Sequence, residues 1–90
     1  MAVRTGHTTV FHVSESLDVE AKPTVFMRMI NSNREIKKLV LEFMKETNNK
    51  FDTSEIDELV RCLKHDDYAI WNSAAMWGHT YVFELTEIDG

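Results

Sequence analysis

His7 and His79 are the two side chains whose neighbours best equip them for chemistry. Each sits second in a closely matched hexapeptide, Gly6-His7-Thr8-Thr9-Val10-Phe11 near one end of the chain and Gly78-His79-Thr80-Tyr81-Val82-Phe83 near the other, identical at five of six positions. Each copy runs on into residues suited to a strand, His12-Val13 and Glu84-Leu85. Side chains alternate along a strand, so a histidine and the residue two places on project from the same face. Two such pairs facing one another could hold a phosphate. One imidazole would serve as general base and the other as general acid, with the hydroxyls of Thr9 and Tyr81 orienting the phosphate oxygens.

This spacing resembles the paired His-x-Thr/Ser motifs of the two-histidine phosphoesterases, and His7-Thr8-Thr9 matches the pattern in full. The resemblance implies a phosphodiester or nucleotide hydrolase with His7, Thr9, His79 and Tyr81 as its catalytic set, within one chain or completed across a dimer. The second copy departs from the pattern, because Tyr81 carries its hydroxyl much further from the backbone than a Thr or Ser would. The family's duplicated fold also normally needs a chain much longer than 90 residues. No family membership is assigned on these short segments. The plainer reading is that Gly-His-Thr-x-Val-Phe is how a strand begins here. Glycine eases entry, a polar residue keeps to the wet end, and β-branched and aromatic residues follow. Geometry rather than motif decides catalytic roles, so no catalytic residue is assigned and the hydrolase stands as the alternative.

Other reactive groups carry less. His7 and His12 are five apart and would face opposite sides of one strand, and no zinc-type ligand spacing occurs, so no metal or cofactor is expected. Cys62 falls beside Leu63 on a helix among acids and leucines, where a buried, unreactive thiol is ordinary. With three glycines in the chain, Gly6, Gly78 and Gly90, there is no phosphate loop. Asp66-Asp67 reads as a helix exit.

The elements that would position these groups follow from pattern. Residues 7–14 read as a strand, Ser14 to Lys22 as a loop closed by Pro23, and Thr24 to Ile30 as a second strand. That strand is apolar on both faces except at Arg28, which predicts an interior place in the sheet or a partly covered second face. Ser32 and Glu35 form a capping box ahead of Ile36, Leu39, Val40 and Phe43 at helical spacing. Asn residues at 48 and 49 suit a left-handed helix exit. Asp52 with Glu55 caps a second helix, Phe51 and Ile56 stand where a hydrophobic staple would put them, and Ile56, Leu59, Val60 and Leu63 form its buried stripe. Tyr68 to Asn72 is read as a strand leading to a loop at 73–78, against a rival third helix over 67–77, and His79 to Ile88 as the last strand. The expected architecture is α+β: one domain over 1–90 in the order β-β-α-α-β-β, a mostly antiparallel sheet with two helices packed on one face, and flexible termini at 1–6 and 89–90.

Composition then narrows function. One cysteine excludes an intrachain disulfide and fits a reducing compartment. No leader-like segment and no apolar run long enough to span a membrane is present, so a cytoplasmic location is expected (the host cytoplasm if the chain is phage-encoded). A net charge of -5 with scattered Lys and Arg does not favour direct nucleic-acid binding. The stretch Tyr68 to Trp77 gathers both tryptophans with a methionine and a tyrosine, residue types common at the centres of protein interfaces. Two helices on one sheet face leave the other open, where Phe26, Trp71 or Trp77 could be exposed as a binding patch or dimer contact. Tyr68, Trp71, Met76, Trp77 and Phe26 are the candidate binding residues, against the plainer reading that Trp71 fills the core and Trp77 packs at the end of the sheet. The leading expectation is a small protein-binding module, of the kind found among inhibitors, immunity proteins and host-takeover proteins of phages and mobile elements. Its partner is another protein, with a homodimer as a further possibility. A nucleic-acid mimic is the third reading. Replacing both His7 and His79 with Gln separates the first two. The biological effect is expected to survive intact, and its abolition in a folded protein would favour the hydrolase.

Overall fold

The computed structural model describes residues 8–16, 23–72 and 80–88, and the expectations that fall on other residues lie outside the described ones. The element order is β1 (Thr8–Ser16), β2 (Thr24–Ile30), α1 (Arg34–Glu46), α2 (Thr53–Asp66), β3 (Tyr68–Asn72) and β4 (Thr80–Ile88). The predicted β-β-α-α-β-β order therefore holds, as does the strand reading of Tyr68–Asn72. Strand β1 runs two residues further than expected, through Ser16.

The four strands form one sheet in the order β2-β1-β4-β3, every neighbouring pair antiparallel. β1 and β4 share a nine-residue ladder from Thr8↔Ile88 to Ser16↔Thr80, and the shorter β2 and β3 flank this central pair. The interior place expected for β2 is corrected: it is an edge strand. Its two-sided apolar pattern could not distinguish a second face that is covered from one that is exposed. The register with β1 slips between Val13 and Ser14, where Val13 pairs with Phe26 and Ser14 with Thr24. Such a slip adds a residue to one strand and increases its twist.

Both helices cover the same face, α1 over β2 and α2 over β3 and β4. α1 begins one residue later than the Ser32 cap implies, with Asn33 at the cap position and no side-chain cap bond. The other half of the predicted box is present. The Glu35 carboxylate accepts the backbone N–H groups of Asn31 at 2.6 Å and Ser32 at 3.1 Å. The helix ends as expected on an asparagine. Asn48 sits at φ 58°, its N–H on Lys45 O and that of Asn49 on Met44 O, the two bonds of a Schellman exit. α2 starts with Asp52 and Glu55 as a capping box and ends with Asp67 at φ 60°, whose N–H reaches Leu63 O at 3.1 Å. Ile56 is buried, whereas Phe51, its expected staple partner, keeps 41% of its surface in solvent.

The core lies between sheet and helices and is dominated by rings. Phe43, fully buried on α1, meets Phe26, Tyr81 and Phe83 edge-on with centroids 5.8, 5.1 and 5.2 Å away. Phe11 adds edge contacts to Phe26 and Phe83. Phe43 thus touches an edge strand and a central strand at once, pinning α1 across the sheet. Edge-to-face pairs of this kind add about 0.5–1.5 kcal/mol beyond the area they bury. Phe43→Ala is expected to cost about 3–5 kcal/mol in urea unfolding. A loss of well under 1 kcal/mol would show that the ring does not hold the layers together.

Candidate functional site

Strand alternation sorts the sheet residues into two sets. Thr9, Phe11, Val13, Phe26, Ala69, Trp71, Tyr81, Phe83 and Leu85 turn toward the helices and are buried. Val10, His12 and Ser14 on β1, Met27 and Met29 on β2, Tyr68 and Ile70 on β3, and Val82, Glu84 and Thr86 on β4 occupy the opposite face. Among the described residues no helix covers this second face.

Its exposed apolar groups fall in two strips along the sheet edges. Met27 (55%) and Met29 (72%) stand out from β2, and Tyr68 (46%) and Ile70 (55%) from β3. Between them, on the central strands, Val10, Ser14 and Val82 are buried, and His12 and Glu84 lie directly opposite one another. A shallow groove of about 350 Å³ is lined by Val10, His12, Met27, Glu84 and Thr86. The His12 Nε2 is 2.7 Å from the Thr24 hydroxyl, a bond that fixes the ring at the slip in the β1–β2 register. The Glu84 carboxylate makes no hydrogen bond or ion pair among the described residues.

The sequence-predicted residues separate on this structure. Tyr68 is on the open face. Trp71 and Phe26 are not: each is about 6% exposed and faces the helices, so both belong to the core. Trp71 stacks on Tyr81, with centroids 6.0 Å apart and an interplanar angle of 22°. Its indole N–H donates to Glu55 Oε2 at 2.7 Å. The other oxygen of Glu55 accepts the Asp52 N–H at 3.1 Å, so one carboxylate both caps α2 and ties it to β3. Phe26 lies under the Arg28 guanidinium at 4.3 Å and against Phe43. Met76 and Trp77 lie outside the described residues.

His7 and His79 also lie outside them, but their motif partners do not. Thr9 and Tyr81 are buried against the helices, and the ladder puts them six residues apart along the strands, with Tyr81 opposite Glu15 and Thr9 opposite Glu87. At the rise of an extended strand this is about 20 Å. The two copies enter an antiparallel pair from opposite ends, so the geometry does not bring Thr9 and Tyr81 to one phosphate. Among the described residues no three of His, Cys, Asp and Glu gather as a metal site. Cys62 is partly buried against the core, with its thiol 3.7 Å from Glu58.

The helix surfaces are mixed in sign. Arg28 reaches Glu42 at 3.4 Å and Glu46 at 3.3 Å, Lys37 reaches Asp57 at 3.7 Å, and Arg61 pairs with Glu58. The Arg61 hydrogen bond, with its charge, holds the exposed Glu58 carboxyl below the usual carboxylate range. Cations interleaved in this way break up the extended acidic face that a nucleic-acid mimic would present. No described helix is long and apolar enough to cross a membrane.

The described chain is thus a small α+β domain with a four-stranded antiparallel sheet covered by helices on one side. No family model matches it, and neither curated proteins nor solved structures yield a match.

Reading the sequence alone missed Met27, Met29, Ile70, His12 and Glu84 as a surface. The signal was there in the alternation of Val25, Met27 and Met29, but it served equally well for a covered face. The Glu55–Trp71 bond yields a test. Glu55→Ala and Trp71→Phe are each expected to lower unfolding free energy by about 1–3 kcal/mol. Their double variant should lose clearly less than the sum. Strict additivity would mean the bond contributes nothing to stability.

Proposed function

We propose that this protein acts by binding protein, with the open face of the sheet as the contact surface. The observation that carries the reading is the pair of exposed apolar strips, Met27 with Met29 and Tyr68 with Ile70, flanking a groove on the face that the helices leave free. Monomeric proteins rarely expose contiguous apolar surface without a use for it. Methionine and tyrosine suit such a surface, one because it adapts its shape and the other because it combines an apolar body with a polar tip. The groove is shallow, which fits a flat protein contact better than an enclosed small-molecule site. Stoichiometric binding of this kind is how inhibitors, immunity proteins and host-takeover proteins work, and that is the functional class we assign.

The test compares capture from the native cell by three baits: the wild-type chain, the open-face variant Met27→Glu/Ile70→Lys, and the helix-face variant Lys38→Glu. A stoichiometric partner should be retained by the first and third and lost by the second, with all three baits equally folded by circular dichroism. Retention by the open-face variant would place the contact elsewhere and refute this assignment of the surface.

A further inference from the structure

The open face is complementary to itself, and we infer that its occupant is a second copy of this chain, docked face to face about a two-fold axis parallel to the strands. The inference rests on reading that face as a protein-contact surface and names the partner. Cross-strand pairing puts Met27, His12, Glu84 and Tyr68 in one row, running from β2 through β1 and β4 to β3. A two-fold axis above the seam between β1 and β4 exchanges β1 with β4 and β2 with β3. His12 of one copy then faces Glu84 of the other, and Met27 faces Tyr68. Each contact occurs twice, as an isologous interface requires.

Charge and shape both favour this arrangement. The chain carries a net charge of -5, so two copies repel over most of their surfaces. Among the described residues the open face bears a single acid, Glu84, and neither Lys nor Arg, so a second copy meets little like charge there. The one acid falls opposite an imidazole. In the tautomer whose Nε2 accepts the Thr24 hydroxyl proton, the His12 Nδ1–H can donate to a carboxylate. Glu84 has no partner of its own among the described residues. The rotation lays the exposed Met27 over the exposed Tyr68 of the second copy and Ile70 over its Thr24, while Met29 falls beyond the start of the second copy's β3. Two sheets packed this way keep their strands within about 30° of each other and lie about 10 Å apart. The absence of cations on this face among the described residues leaves nothing there to attract a phosphate backbone.

Four strands about 4.8 Å apart and up to nine residues long give a footprint of roughly 500 Å² per copy. The total, roughly 1,000 Å², is at the lower limit for a specific interface. A weak, concentration-dependent dimer is the expected state, with a Kd on the order of 10 µM.

Sedimentation equilibrium from about 1 to 500 µM spans that range. The wild-type chain should pass from its 10.5 kDa monomer to twice that mass. Met27→Glu should weaken association at least about tenfold. His12→Glu and Glu84→His should each weaken it about fivefold or more, while the doubly exchanged protein should recover to within about threefold of wild type. Urea unfolding of every variant establishes that it is folded. A wild-type chain that stays monomeric throughout overturns the inference, as does a dimer indifferent to Met27→Glu or one that the exchange fails to restore. A monomeric wild type would leave the contact-surface reading standing. That reading falls separately, if the open-face variant keeps its captured partner.

Discussion

The two described helices cover one face of the four-stranded sheet, and the rest of this structure follows from that division. Phe43 settles which face is covered. Its ring meets Phe26 on the edge strand and Phe83 and Tyr81 on β4, so α1 is fixed across the sheet and α2 follows through the short connection. Burying one such ring contributes about 1.5–3 kcal/mol before any ring-ring term. The Glu55 carboxylate completes the helix layer by holding α2 to the Trp71 indole.

The uncovered face is a direct consequence. On it the central Val10, Ser14 and Val82 are buried, while its margins present Met27, Met29, Tyr68 and Ile70 to solvent. The sheet edges are handled differently. β3 is only five residues long, and β2 carries Arg28, turned inward and paired with Glu42 and Glu46. Short strands and inward charges discourage edge-to-edge pairing. Protected edges beside exposed apolar groups on one face are what the proposed association through that face requires. The His12/Glu84 pair gives the face a direction and a register that apolar groups alone would not specify.

Much of the fold was legible because local signals agreed. Glu35 and Asp52 marked the helix starts, Asn48 closed α1, and the spacing from Ile36 to Phe43 identified the buried stripe. Topology was less accessible. Apart from Arg28, nothing in Thr24 to Ile30 distinguishes an edge strand from an interior one, because apolar alternation reports only that both faces tolerate apolar residues. The candidate site suffered from the same ambiguity. Large aromatics suit interfaces as well as cores, so sequence leaves Trp71 open between the two and favours the open face for Phe26, and only the register reveals that both point at the helices. The matched Gly-His-Thr segments were the most conspicuous sequence feature. Their relation is now structural: they lead into the two central strands, which run in opposite directions and so carry Thr9 and Tyr81 apart.

The central claim is that the Met27 side of the sheet is where the protein meets a second copy of itself. The chain's methionines provide a direct probe, because Met27 and Met29 lie on that face while Met44 is fully buried in the core. Carbon-13 methyl spectra recorded over a dilution series should show the Met27 and Met29 signals moving with protein concentration while Met44 stays fixed. Met27 and Met29 signals that remain stationary while the protein associates would contradict it.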